Sequence, residues 1–307
     1  MAVTAALIKE LREKTGAGMV DCKKALIETD GDLDKAIDVL REKGKSKAVK
    51  KADRIAAMGL ADVAFNADAT EAAIVEVNSE TDFVAKNPDF QAFVQGVAAT
   101  ALKAESEDMD AFMAMPFDDN NTVQEALTEK IATIGEKLSI RRFQKIAVPG
   151  TKNVAYKHNG GTIAVIVTLK TDASAEDVQT IGKDVAMQVA SMNPKYVSEN
   201  DIDEAYIASE TEILKQQALI ENEGKGKPIE IIEKMVKGRL NKELKEVCLL
   251  EQKFVKDGEI TVAQYVQNAA KALGSDVEVV SMVRYEVGEG IEKREENFAE
   301  EVAKQMG

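Results

Sequence analysis

Two stretches of this chain follow one plan, and that plan restricts the fold more than any other feature. In the first, residues 60–65 alternate like a half-buried strand, Asn66-Ala67-Asp68-Ala69-Thr70 turns, residues 73–77 return as a strand, and a helix opens at Pro88. In the second, residues 154–158 alternate, Asn159-Gly160-Gly161 turns, and residues 163–169 return. A helix follows with Val178, Ile181, Val185 and Val189 on one face. Asn-Gly-Gly between alternating segments is a hairpin signal. Hairpin, loop and amphipathic helix, written twice, pack as helices on one face of an antiparallel sheet, so an α+β fold is expected. A helical region and a strand-like segment at 139–148 separate the copies, and Pro149-Gly150 marks the break.

The flanks are helical. Leu7 and Leu11, then Met19, Cys22 and Leu26, then Leu33, Ala36, Ile37 and Leu40 form three apolar stripes, a small three-helix unit joined at Thr15-Gly16-Ala17-Gly18. Met19 is read either as core or as part of a face for a partner helix. Lys43, Lys45, Lys47, Lys50, Lys51 and Arg54 follow as a basic, solvated linker. Gly44-Lys45-Ser46 resembles the tail of a phosphate-binding loop, but Val39 stands where its first glycine belongs and no strand precedes it. Within the second copy, two polar-rich helical arms surround Gly224-Lys225-Gly226-Lys227-Pro228. Ile202, Ala205, Ile213 and Ile220 mark one arm; Ile232, Met235, Val236, Leu240, Leu244 and Val247 mark the other. They predict an inserted antiparallel hairpin with a narrow seam. Phe298, Val302 and Met306 stripe a C-terminal helix.

One aromatic ring is surplus to the core. Asn87-Pro88 is a helix start, and Phe90, Phe93, Val94, Val97 and Leu102 already complete that helix's apolar face. Phe83, beside Asp82 in Thr81-Asp82-Phe83-Val84, therefore sits in the connection as either a plug under the helix or a rigidly mounted wedge for another protein.

Composition narrows the function. With 54 acidic and 40 basic side chains the net charge is −14, which disfavours direct binding of nucleic acid or anionic membrane. Lys9 and Glu10 precede any apolar signal-peptide core, and no window approaches the roughly 20 apolar residues of a membrane span, so a cytoplasmic chain is expected. His158 is the single histidine, and Cys22 and Cys248 lie far apart, which leaves neither a triad nor metal-ligand spacing. Cys22 falls on the apolar stripe with Met19 and Leu26, the place of an inert thiol rather than a nucleophile. The expectation is a non-enzyme without cofactor or metal. A small helical unit, an acidic body and a projecting hairpin also fit a scaffold or nascent-chain-associated protein.

Several segments in order resemble bacterial elongation factor Ts. They are Leu11-Arg12-Glu13-Lys14-Thr15-Gly16-Ala17-Gly18-Met19 with Asp21-Cys22-Lys23-Lys24-Ala25-Leu26, then Thr81-Asp82-Phe83-Val84, Ile134-Gly135-Glu136, and Arg284-Tyr285-Glu286-Val287-Gly288-Glu289-Gly290-Ile291-Glu292. The turn Asn159-Gly160-Gly161-Thr162 departs from the family, which usually carries an arginine there. The resemblance implies a guanine nucleotide exchange factor for the translation GTPase elongation factor Tu. It implies a three-helix, UBA-like domain over 1–54, core subdomains over 55–149 and 150–290, the helical hairpin inserted at about 198–250, and a C-terminal helix over 291–307. Met19 and Lys23 would dock on the GTPase's nucleotide domain. Thr81, Asp82, Phe83 and Val84 would disturb its magnesium and phosphate site, with Ile134 and Gly135 nearby. His158 would face a separate domain of the GTPase. Apart from the resemblance, the self-contained seam of the hairpin suits either self-association or an auxiliary contact with the partner.

Overall fold

Local signals place the elements, and the computed structural model describes residues 3–223 and 228–292. Three helices, α1 (Ala5–Thr15), α2 (Met19–Glu28) and α3 (Leu33–Lys51), lead into strands β1 (Met58–Phe65) and β2 (Glu71–Ser79). One helical turn, α4 (Asp82–Ala85), joins β2 to α5 (Pro88–Ala101), which Asn87 caps by accepting the Asp89 N–H at 2.8 Å. The short α6 (Met109–Met113) and α7 (Val123–Ile134) precede β3 (Leu138–Ala147). The second half runs β4 (Thr151–His158), β5 (Ile163–Lys170), α8 (Gln179–Met192), α9 (Glu204–Asn222), α10 (Ile229–Val247), β6 (Lys253–Phe254), β7 (Asp257–Thr261), α11 (Val262–Leu273) and β8 (Glu278–Glu286).

The repeated plan makes two three-stranded antiparallel sheets, ordered β1-β2-β3 and β4-β5-β8. Alternation along the central strands divides the core. Ala73, Val75 and Val77 of β2 face α5, where Phe90, Phe93, Val94 and Val97 cover them. Val165, Val167 and Leu169 of β5 face α8 with Val185 and Val189. Burying each such side chain contributes about 1.5–3 kcal/mol, so these two layers dominate the stability.

The other faces of the two sheets pack on each other. Ala61, Ala72 and Ile74 from the first sheet meet Ala164, Ile166 and Tyr285 from the second. The core thus has four layers: helix, sheet, sheet, helix. Asn153 stitches the sheets by donating through its backbone N–H to Ala69 O at 2.7 Å and through its side chain to Thr70 O at 3.1 Å. Glu76, also on this inner face, is fully buried, with Arg141 Nη1 at 3.0 Å and Arg142 Nε at 2.6 Å from its carboxylate.

Two expectations change. The basic run at 43–54 is solvated but is mostly helix and not linker: α3 continues to Lys51, and Lys43 pairs with Glu28 at 2.6 Å and Lys47 with Asp21 at 2.8 Å at the surface. Gly44 lies inside that helix against α7, where an added Cβ would stand 3.3 Å from the Ala132 methyl. The hairpin seam uses Leu214 and Ala218 on α9 against Ile232, Val236 and Leu240 on α10. Ile220 is 71% exposed and Ile213 also points outward, because the inward stripe of α9 is set by the Leu214–Ala218 spacing of four. The turn tip at 224–227 and the C-terminal helix expected from 293 onward lie outside the described residues. No helix among the described residues is long and apolar enough to cross a membrane.

Candidate partner-binding site

The exit of β2 mounts an aromatic ring on a rigid base. Thr81 precedes α4 with extended backbone, and its N–H and hydroxyl donate to the Glu136 carboxylate at 3.0 and 2.7 Å. Ser79 Oγ donates to Thr81 O at 2.9 Å, and Asn87 N–H to Val84 O at 2.9 Å. Val84 is 7% exposed and packs in the first core, so it anchors the turn and offers little contact area of its own. Phe83, its neighbour, is 78% exposed. The plug reading of Phe83 is thereby excluded. Asp82 pairs with Lys86 at 2.7 Å, and that ammonium holds the Asp82 carboxyl below the usual aspartate range. The same Lys86 Nζ stands 5.7 Å from the centre of the Phe83 ring.

An open cleft of about 340 Å³ beside the ring is lined by Gly16, Phe83, Val84, Asn87, Asp89, Thr133 and Ile134. The turn between α1 and α2 thus shares a surface with the wedge and with the end of α7. Gly135 caps α7 in the left-handed conformation, and its carbonyl accepts Lys51 Nζ. On α2 the inward stripe is Cys22, Ala25 and Leu26, which leaves Met19 59% exposed and Lys23 in solvent. Met19 is therefore surface, not core. Val20 and Ile27 are exposed on the same helix and were missed. Their spacing of seven, off the Cys22 stripe, was the available signal.

His158 lies elsewhere. It ends β4, is exposed, and its Nδ1 is 3.0 Å from the Tyr156 hydroxyl; it does not line the cleft. The Asn159-Gly160-Gly161 turn beside it has positive φ at all three residues, which is why Asn and Gly occupy it.

Chemical groups are scarce. No cluster of three potential metal ligands occurs among the described residues. Both cysteines are fully buried, and burial raises the Cys22 thiol and pushes Cys248 up to about 11. Both thiols therefore stay protonated at neutral pH. A disulfide-exchange dye should label neither in the native protein within minutes and both after unfolding. Fast native labelling would contradict this placement.

The family model for Elongation factor TS matches residues 80–289. Elongation factor Ts of Clostridioides difficile (strain 630) is 59% identical over 304 residues, 99% of each chain. Those of Clostridium botulinum (strain Eklund 17B / Type B) and Clostridium perfringens (strain 13 / Type A) are 49% and 48% identical over 305 residues, again 99% of each chain. The matched span takes in Phe83, β3 of the first sheet and all of the second sheet, and the full-length identity carries β1, β2 and the three-helix unit with it. The chain belongs to the elongation factor Ts family.

Proposed function

We infer that this protein is a guanine nucleotide exchange factor for elongation factor Tu, acting by disturbing the partner's magnesium and phosphate site. The observation that carries this reading is Phe83, an exposed aromatic on a turn held by the Glu136–Thr81 hydrogen bonds and by buried Val84. Nucleotide on such GTPases is held by backbone donors, a lysine and magnesium. Exchange needs no acid, base or nucleophile. It needs a factor that prefers the nucleotide-free partner, and by linkage nucleotide then weakens the factor equally. A rigid ring that fits only a displaced arrangement of the partner supplies that preference. Met19 and Lys23 dock α2 on the nucleotide domain, and Phe83 enters it with Asp82 beside the magnesium site. Thr81 and Val84 hold the wedge, Ile134 and Gly135 flank it, and His158 on the other sheet faces a separate domain and gives leverage.

Release of a fluorescent GDP from elongation factor Tu tests the reading. Catalytic amounts of this protein should accelerate release of both GDP and GTP. An unchanged rate at saturating protein leaves the scaffold reading in its place.

The hairpin serves self-association or an auxiliary contact, a role supported by outward Ile213, Ile220, Ile229 and Ile231. Its two ends are stapled together: the Lys195 and Tyr196 N–H groups donate to Val247 O at 2.9 and 3.1 Å, and Leu249 N–H to Tyr196 O at 2.8 Å. Joining the chain near Tyr196 to the chain near Leu250 by a short linker should therefore spare the core and most exchange activity. A folded, monomeric but inactive product would make the hairpin part of the central mechanism.

A further inference from the structure

The turn that enters α4 and the loop between α7 and β3 hold each other through exchanged carboxylates. Glu80, directly after β2, accepts the Lys137 N–H at 2.5 Å. Glu136, in the second loop, accepts the Thr81 N–H at 3.0 Å and the Thr81 hydroxyl at 2.7 Å. Each glutamate thus binds the backbone N–H that directly follows the other. The end of α3 is tied into the same knot. Arg54 Nη1 reaches both Glu80 oxygens at 3.2 Å, and Lys137 Nζ donates to Ala52 O and Arg54 O at 2.6 and 2.7 Å.

We propose that Glu136 and Glu80 are positioning residues that fix the direction of Phe83 relative to the docking helices, so that engagement of α2 delivers the ring to one place. This rests on the exchange reading above. The clasp lies at part-buried positions, where water can satisfy the Thr81 and Lys137 N–H groups if a carboxylate is lost. Folding therefore depends on it weakly. The aim of the ring depends on it strongly, because a functional group must be held to about 0.5 Å by the residues behind it. The contacts with α3 carry that aim back to the three-helix unit. Neither glutamate needs to touch the partner.

Exchange measured against factor concentration, on full-length protein, separates aim from folding. Glu136→Ala removes both hydrogen bonds to Thr81 and should lower the maximal release rate about tenfold or more, at least the scale of one charge-assisted hydrogen bond, while half-saturation moves less than about twofold. Glu136→Gln keeps an acceptor for Thr81 and should recover part of the rate, and it serves as the folded comparison if the alanine variant melts. In a Phe83→Ala background, Glu136→Ala should change nothing further, since it acts through the ring. A wild-type maximum for Glu136→Ala, or a loss that multiplies with Phe83→Ala, overturns the clasp. A wild-type protein that fails to accelerate release defeats the exchange reading itself, and the two failures are thereby distinct.

Discussion

Glu76→Gln should cost about 3 kcal/mol of folding stability at pH 7, the low end of what removing one partner from a buried ion pair costs. The low end applies because the Arg141 and Arg142 side chains are each about a third exposed and water recovers part of their charge. The carboxylate is fully buried between the sheets and is also held by Asn78 Nδ2 at 3.1 Å and the Gly288 N–H at 2.8 Å. Burial alone would raise its pKa, but the Gly288 amide, Arg141, Asn78 and Arg142 together outweigh it and hold the group below the usual glutamate range. A carboxyl depressed on folding contributes stability above its unfolded pKa of about 4.3 and loses it as pH falls through the folded value. Glutamine does not titrate. The gap between wild type and variant should therefore stay constant from neutrality to about pH 5 and close only in stronger acid. Urea melts at several pH values read this directly; equal stabilities at pH 7, or a gap already closing above pH 5, contradict it.

The same carboxylate explains a motif. Arg284 to Glu292 reads as a family signature, and its work is at the seam between the sheets. Gly288 has φ 74° and approaches Ala57 so closely that a Cβ would stand 2.1 Å from its carbonyl oxygen, so only glycine can bring this N–H to Glu76. Arg142, which binds Glu76, also lies 4.2 Å from the centre of the Tyr285 ring.

Features encoded within a few residues were legible in the sequence. The doubled hairpin-and-helix plan, the Asn87-Pro88 cap and the three-helix stripes rest on local period and punctuation, and the structure repeats them. The packing of sheet on sheet was not legible, since strand alternation says that a face is buried and not against what. The role of Glu76 was not legible either, because its donors Arg141 and Gly288 lie 65 and 212 positions away. The first hairpin arm misled because α9 carries apolar residues on two faces, and only packing against Ile232 and Val236 chooses Leu214 and Ala218. At the site, the surplus of Phe83 was visible because α5 had its full apolar face without it. The clasp was invisible: Glu80 carried no signal of its own and Glu136 stood only as the end of the Ile134-Gly135-Glu136 motif, until folding brings loops 55 residues apart into contact.

Phe83→Ala should abolish most exchange while leaving the fold intact. Truncating a core phenylalanine costs roughly 3–5 kcal/mol, whereas a ring already 78% in solvent should change stability by about 0.5 kcal/mol or less. On the exchange reading proposed above, the energy lost should be the preference for the nucleotide-free partner, where each 1.4 kcal/mol or so is tenfold. Asp82→Ala should act in the same direction and more weakly, since its side chain adds charge beside the ring and not the ring itself. Met19 and Lys23 variants should differ in kind, raising the factor concentration needed while leaving the plateau unchanged. The measurement that decides is the plateau rate of fluorescent GDP release from elongation factor Tu with Phe83→Ala, taken on the same sample as a thermal melt. The account predicts a plateau lowered about tenfold or more at a nearly unchanged melting temperature; a wild-type plateau, with or without a large drop in melting temperature, would contradict it.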